Sequence, residues 1–141
     1  MNNLELYGQA LSTLRTDNLD QLRLLTSADV RFIDPFNQLQ GQDNFIGLLR
    51  EMFEQCRSVQ FEIHQQQCQG RSGFLYWTFN ASSYRLGQLS FEGVSRIEFD
   101  QRGLVCLHQD IWDSSQVLEK LPLLGTVIRQ IRKKAAYKFD E

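Results

Sequence analysis

Asp34, His108 and Asp110 are the residues of this 141-residue chain whose types and spacing fit proton transfer. Asp34 ends the run Ala28-Asp29-Val30-Arg31-Phe32-Ile33-Asp34-Pro35-Phe36, and strand alternation sets it on the face of Val30 and Phe32, so its carboxylate continues an apolar row. His108 and Asp110 share one face of a later run with Cys106 and Trp112, while Val105, Leu107, Gln109 and Ile111 take the other. A carboxylate in apolar surroundings works as base or acid near neutrality, and a neighbouring histidine offers the complementary role. Two structural readings stand beside this chemistry. Asp34 can accept backbone N–H bonds in the Pro35 turn, and His108 and Asp110 can form an ion-pair network with Arg96.

Other chemistries have less to build on. Histidine occurs only at 64 and 108, without His-Glu-x-x-His spacing, and Cys56, Cys68 and Cys106 are odd in number and far apart, so neither a disulfide framework nor a zinc site is expected. No metal and no cofactor enters the reading. Lysine is confined to Lys120, Lys133, Lys134 and Lys138, which leaves the body without a pocket lysine for Schiff-base chemistry. At 42% hydrophobic and 23% charged, with ten Phe, the composition is globular, and the length suits one domain over 1–141. The start, Met-Asn-Asn-Leu-Glu, shows no basic-then-apolar leader and no run is long enough to span a bilayer, so a cytoplasmic location is the expectation.

The elements that must position the three residues follow from hydrophobic period. Leu4, Tyr7, Leu11 and Leu14 predict a first helix ending near Thr16-Asp17, and Leu19, Leu22 and Leu25 a second, capped by Asp17 or Asn18 and closed by Ser27. The Asp34 strand comes next; Pro35 stops its ladder and the chain loops through Asn37 to Gly41. A third helix from Asp43 carries Phe45, Leu48, Leu49, Met52, Phe53 and Cys56 on its apolar face. The period then changes to two over Val59–Gln67, Gly73–Tyr84, Gln88–Asp100 and Leu104–Asp113, with turn signals between the runs, of which Asp100-Gln101-Arg102-Gly103 is the clearest hairpin. Leu89, Phe91, Gly93, Ser95 and Ile97 should face inward, as should the row of Leu75, Trp77 and Phe79. Gly93 permits a bend or the close approach of a ligand. The expected fold is α+β: a cone-shaped, curved antiparallel or mixed sheet wrapped around the N-terminal helices, with a C-terminal helix. An aromatic cone of this kind makes a small-molecule pocket, and Tyr7, Phe36, Phe53, Trp77, Phe79, Phe91, Ser95 and Trp112 are the expected ligand-binding side chains.

Ala28-Asp29-x-x-x-x-Asp34-Pro35-Phe36 before Gly41, Glu92-Gly93-Val94-Ser95-Arg96-Ile97-x-Phe99-Asp100-x-x-Gly103 and His108-x-Asp110-x-Trp112-Asp113 together resemble the nuclear transport factor 2-like (NTF2-like) superfamily, in its SnoaL-like and ketosteroid isomerase-like branch. The resemblance runs over roughly the whole chain. It implies an α+β cone, commonly a homodimer, around an apolar pocket, and either acid–base isomerase, cyclase or dehydratase chemistry on an apolar carbonyl compound or a non-catalytic ligand-binding or dimerisation module. Asp34 falls on the position that resembles the isomerase general base. The positions of that enzyme's two enolate-oxygen donors fall on Ala10 and Ser95, with Tyr7 or Tyr76 as substitutes, so the resemblance does not extend to steroid isomerisation. Limonene epoxide hydrolase has a terminal-strand aspartate in a context similar to Asp110-Ile111-Trp112-Asp113, but Trp77-Thr78-Phe79-Asn80-Ala81 lacks its arginine and second aspartate.

Residues 114–139 form a basic amphipathic extension, with Ser114 or Ser115 as cap and with Pro122 and Gly125 bending it before Val127, Ile128 and Ile131 resume the apolar stripe. Docking on its own domain or across a dimer is favoured over membrane contact. Nucleic acid is not an expected partner, because the body is acidic and no strand face interleaves aromatic with basic residues.

Overall fold

Period-two alternation from residue 56 onward builds the frame of the site. The computed structural model describes residues 1–138. It contains α1 (Asn3–Ser12), a 3-10 helix (Leu19–Leu24), β1 (Thr26–Ile33), β2 (Gln38–Gln40), α2 (Gln42–Glu54), β3 (Cys56–Gln69), β4 (Ser72–Ser83), β5 (Gly87–Phe99), β6 (Val105–Trp112), α3 (Ser115–Leu118) and α4 (Leu124–Ala135). The six strands form one sheet in the order β2-β1-β6-β5-β4-β3, antiparallel except for β1 beside β6. That parallel contact returns the last strand to the first and sets Phe32 opposite His108.

Side-chain alternation decides which face carries the core. Leu75, Trp77, Phe79 and Ala81 of β4 and Phe91, Ser95, Ile97 and Phe99 of β5 are buried on the inner face, as the sequence predicts. The inner face is closed by α1 packed on β3 and α2 packed on β1 and β3. The β5–β6 hairpin turns where expected, with Gly103 at φ +79° and Asp100 accepting the amides of Arg102 and Leu104.

The early helices are shorter than predicted, because polar side chains give the backbone other partners. α1 stops at Ser12; Thr13 Oγ1 donates back to the Gln9 carbonyl, and the Asn18 side chain takes both the Thr13 carbonyl and the Arg15 amide. The second helix is a six-residue 3-10 turn with no side-chain cap. Thr26 and Ser27, expected near its end, open β1 instead, and the Thr26 hydroxyl donates to the Leu22 carbonyl. The loop after Pro35 contains an unforeseen edge strand, since Gln-Leu-Gln is too short and polar to show a period. Cys56 begins β3 instead of continuing the helix face.

The C-terminal extension is two helices. Four residues of α3 are separated from α4 by a reversal at Pro122-Leu123, where Leu123 takes φ +64°. Ser114 occupies the N-cap position of α3 without a side-chain capping bond; the carboxylate before it supplies the bond, Asp113 Oδ1 accepting the Ser115 amide at 3.0 Å and the Ser115 hydroxyl at 2.6 Å. α4 is held by polar hooks, with Arg132 paired to Glu119 and to Asp113, and Arg129 donating to the Glu119 carbonyl at 2.9 Å. Leu124, Val127 and Ile131 stay exposed, so the apolar stripe does not dock on this chain's own body, one of the two arrangements expected. Phe139, the expected end of the extension, lies outside the described residues. No helix among the described residues is long and apolar enough to cross a membrane.

Candidate functional site

Strand register brings the polar groups of the inner face together. β4 and β5 pair Trp77 with Gly93, and β5 and β6 pair Ser95 with Asp110 and Ile97 with His108. A methyl group on Gly93 would come within 2.6 Å of Cζ2 of the Trp77 ring, so the bare Cα is what lets the indole lie flat across β5. What approaches Gly93 is this side chain, where the sequence allowed a bend or a ligand. In that pose Trp77 Nε1 donates to Ser95 Oγ at 2.8 Å, and Ser95 Oγ donates to Asp110 Oδ1 at 2.5 Å.

From the other side His108 Nε2 meets the same Asp110 oxygen at 2.7 Å, and Tyr7 Oη lies 2.7 Å from His108 Nδ1. One proton arrangement satisfies every member. The Tyr7 hydroxyl has no other partner, so it donates to Nδ1; the imidazole is then neutral and donates from Nε2 to the carboxylate. Burial, and secondarily the charge of Asp110, pushes the Tyr7 phenol well above its ordinary pKa, which keeps it a proton donor. Phe32 and Phe45 pack on the imidazole at centroid distances of 5.2 and 5.5 Å and exclude water from it.

Asp110 stands where this network meets an open cavity. The chamber holds about 420 Å³ and is walled by α2 through Leu48, Leu49 and Met52, by the sheet through Phe61, Trp77, Phe79, Leu89, Phe91 and Trp112, and at its mouth by Phe36 and Val117. A small inner void of about 20 Å³, room for one water-sized group, shares Asp110 and Trp77 with the chamber and adds Ser95 and His108. Both donors to Asp110 use Oδ1. Oδ2 has no partner on the protein and is not among the buried orphan atoms, of which Ser27 Oγ is the one among the described residues. It is the oxygen left for a ligand.

Asp34 also lines the chamber, at its mouth, but its carboxylate is turned to the backbone. Oδ1 accepts the amides of Phe36 at 2.8 Å and Asn37 at 2.7 Å, and the Asn37 side chain bonds both oxygens, at 3.1 and 3.3 Å. This is the turn-closing role that Pro35 makes available. Of the side chains expected to bind a ligand, Trp77, Phe79, Phe91, Phe36 and Trp112 line the chamber and Ser95 lines the inner void. Two expected lining residues do not. Tyr7 is buried behind His108 and reaches the site only through it. Phe53 follows Met52 by one residue, a rotation of about 100° on the helix, and packs on the core away from the chamber. Arg96 is no partner of His108 or Asp110; on the opposite face of β5 it bonds Gln109 at 3.2 Å and Glu98 at 2.7 Å. Sequence reasoning passed over Phe61 and Val117 as lining residues. Phe61 was signalled by its alternation with Val59 and Ile63, whereas nothing local announced Val117. Among the described residues no three His, Cys, Asp or Glu side chains converge on a point that could hold a metal ion.

Comparisons with known proteins bear on this architecture. A search of curated proteins finds no match. An NTF2-like protein of unknown function from Burkholderia pseudomallei K96243 superposes with a TM-score of 0.75 at 14% identity, covering 86% of this chain and 98% of its own. A protein called a SnoaL-like polyketide cyclase, from Jannaschia sp. CCS1, gives 0.75 at 13% identity over 86% and 92%. An LEH-like epoxide hydrolase of M. tuberculosis gives 0.67 at 21% identity over 92% and 93%. At such identities the likeness is one of fold. The family model for the SnoaL-like domain matches residues 8–108, a span that takes in the last turn of α1, the Asp34 turn, Ser95 and His108. With that match and an NTF2-like fold, the chain belongs to the SnoaL-like domain family.

Proposed function

We propose that this protein is an acid–base enzyme acting on an apolar small molecule, with Asp110 as the group that takes and returns the proton. The observation that carries the reading is the division of labour within one carboxylate: Oδ1 is fixed by Ser95 and His108, while Oδ2 has no protein partner, on a residue that lines a largely apolar chamber. A base held at one oxygen and free at the other is oriented for proton transfer without reorganisation. The reactions that fit begin with removal of a proton beside a carbonyl. Its return elsewhere isomerises the compound, attack by the resulting carbanion on a second carbonyl closes a ring, and expulsion of a β-hydroxyl as water dehydrates it.

Asp34, the base position by family resemblance, is assigned the mouth and the turn, because both its oxygens are engaged by Asn37. The steroid-isomerase donors find no counterpart: Ala10 has no donor, and the Ser95 proton is directed to Asp110. Epoxide hydrolysis lacks its arginine. A non-catalytic carrier would use the same apolar walls, and the network of Tyr7, His108, Ser95 and Trp77 behind Asp110 is what favours an enzyme over it.

The test uses 5-nitrobenzisoxazole, whose ring opens when a base removes its one acidic C–H proton; the N–O bond breaks and a coloured cyanophenolate forms. The wild-type protein is expected to accelerate this opening, and Asp110→Asn to lower kcat/KM by about 10²–10⁴-fold. An unchanged rate in Asp110→Asn would overturn the assignment.

A further inference from the structure

The charges around the chamber are of one sign. Among the described residues, the charged side chains that line it are Asp34, Glu51 and Asp110, with no lysine, arginine or histidine. His108 sits behind Asp110 at the inner void, and its Nδ1 is occupied by the Tyr7 proton. Every lysine of the chain lies at or beyond residue 120. Asp110, 14% exposed, therefore meets the chamber supported by neutral donors alone. A carboxylate so placed draws a cation and repels a second anion.

The walls offer a cation a second attraction. From the mouth inward, Phe36, Trp112, Phe91 and Phe79 follow one another at centroid distances of 5.7, 4.4 and 5.0 Å, an aromatic wall that ends beside Trp77 and Asp110. Ring faces attract cationic nitrogen, most strongly where water is excluded.

We infer that the ligand of this chamber is an apolar molecule carrying a cationic nitrogen, seated with that nitrogen between Asp110 Oδ2 and the aromatic wall, and that carboxylates and phosphates are rejected. This rests on the reading of the chamber as the reaction site and names its ligand class. It also supplies what Ala10 and Ser95 lack. If the nitrogen is part of a C=N⁺ group, the proton leaving the adjacent carbon goes to Asp110 Oδ2; the C–H electron pair becomes a C=C bond, and the C=N π pair moves onto nitrogen as a neutral enamine. The substrate then carries its own electron sink, and no oxyanion donor is required.

Both tryptophans of the chain, Trp77 and Trp112, line the chamber, so intrinsic fluorescence reports its occupancy. The experiment titrates the protein with benzyltrimethylammonium, with its uncharged isostere neopentylbenzene and with phenylacetate. The cation is expected to bind about tenfold or more tighter than the isostere, phenylacetate the weakest of the three, and Asp110→Asn to erase the preference. Equal affinity for cation and isostere, or tighter binding of phenylacetate, would overturn the inference. Retained, Asp110-dependent opening of the neutral 5-nitrobenzisoxazole without a cation preference would remove the ligand class alone. A cation preference with no such opening would remove the base assignment alone.

Discussion

Tyr7 Oη and His108 Nδ1 lie 2.7 Å apart across 101 residues of sequence, joining the first helix to the last strand beneath the cavity floor. The bond fixes the histidine tautomer and, through Nε2, the orientation of Asp110. Tyr7→Phe keeps the ring and removes the donor, leaving Nδ1 buried without a partner, so the variant should lose about 1–3 kcal/mol of stability. Urea denaturation measures this. A loss much below that range would mean that the phenol fills space and nothing more.

Alkaline pH reads the same residue. Because the folded pKa of Tyr7 is raised above the unfolded value of 10.0, its contribution to stability is complete below pH 10 and is lost as pH climbs toward the raised folded value. Ultraviolet absorbance and near-ultraviolet circular dichroism, followed together against pH, separate ionisation of the buried phenol from unfolding. The Tyr7 phenolate should appear only together with the loss of near-ultraviolet circular dichroism. Its smooth titration in the folded protein would contradict the burial argument.

Gly93→Ala tests how the network is assembled. The added methyl meets the Trp77 ring, and the two paired strands that carry these residues, β4 and β5, have little room to yield. The indole should tilt and release Ser95, costing about 1–3 kcal/mol of stability and lowering proton abstraction by more than the change in ligand affinity. A variant with wild-type turnover and an unshifted tryptophan emission would show that the indole pose is irrelevant to Asp110.

At the far end of β6, the Asp113 cap carries the opposite pH dependence. Hydrogen bonds from the Ser115 side chain and backbone hold its carboxyl below the usual 3.8, with the Arg132 guanidinium adding to the effect. What the cap contributes is present above pH 3.8 and is lost as pH falls through the lowered folded value. Protection of the Ser115 amide from hydrogen exchange should decline over that range in the wild type. In Asp113→Ala the amide should be unprotected at every pH, and equal protection in the two proteins would refute the cap.

Much of the scaffold was legible because period is a local property. The inward rows from Leu75 to Phe79 and from Phe91 to Ile97, the pairing of His108 and Asp110 on one face, and the Gly103 hairpin were all visible in the spacing. Spacing places Asp34 at the end of the row of Val30 and Phe32, yet which atoms its oxygens meet depends on the Asn37 side chain three residues on, and no period reports that. Tyr7 looked like one more member of a helical stripe; that its hydroxyl faces the last strand is decided by how α1 crosses the sheet. Helix ends failed where Thr13, Asn18 and Asp113 diverted backbone groups to side chains.

We propose that Asp110, and not Asp34, moves the proton. This is tested most directly by measuring kcat/KM for 5-nitrobenzisoxazole in Asp110→Asn and Asp34→Asn side by side, with fluorescence titration of neopentylbenzene confirming that each variant keeps its chamber. The expected loss is about 10²–10⁴-fold in Asp110→Asn, with a change within a few-fold in Asp34→Asn. The reverse order, or equal rates in the two variants, would contradict it.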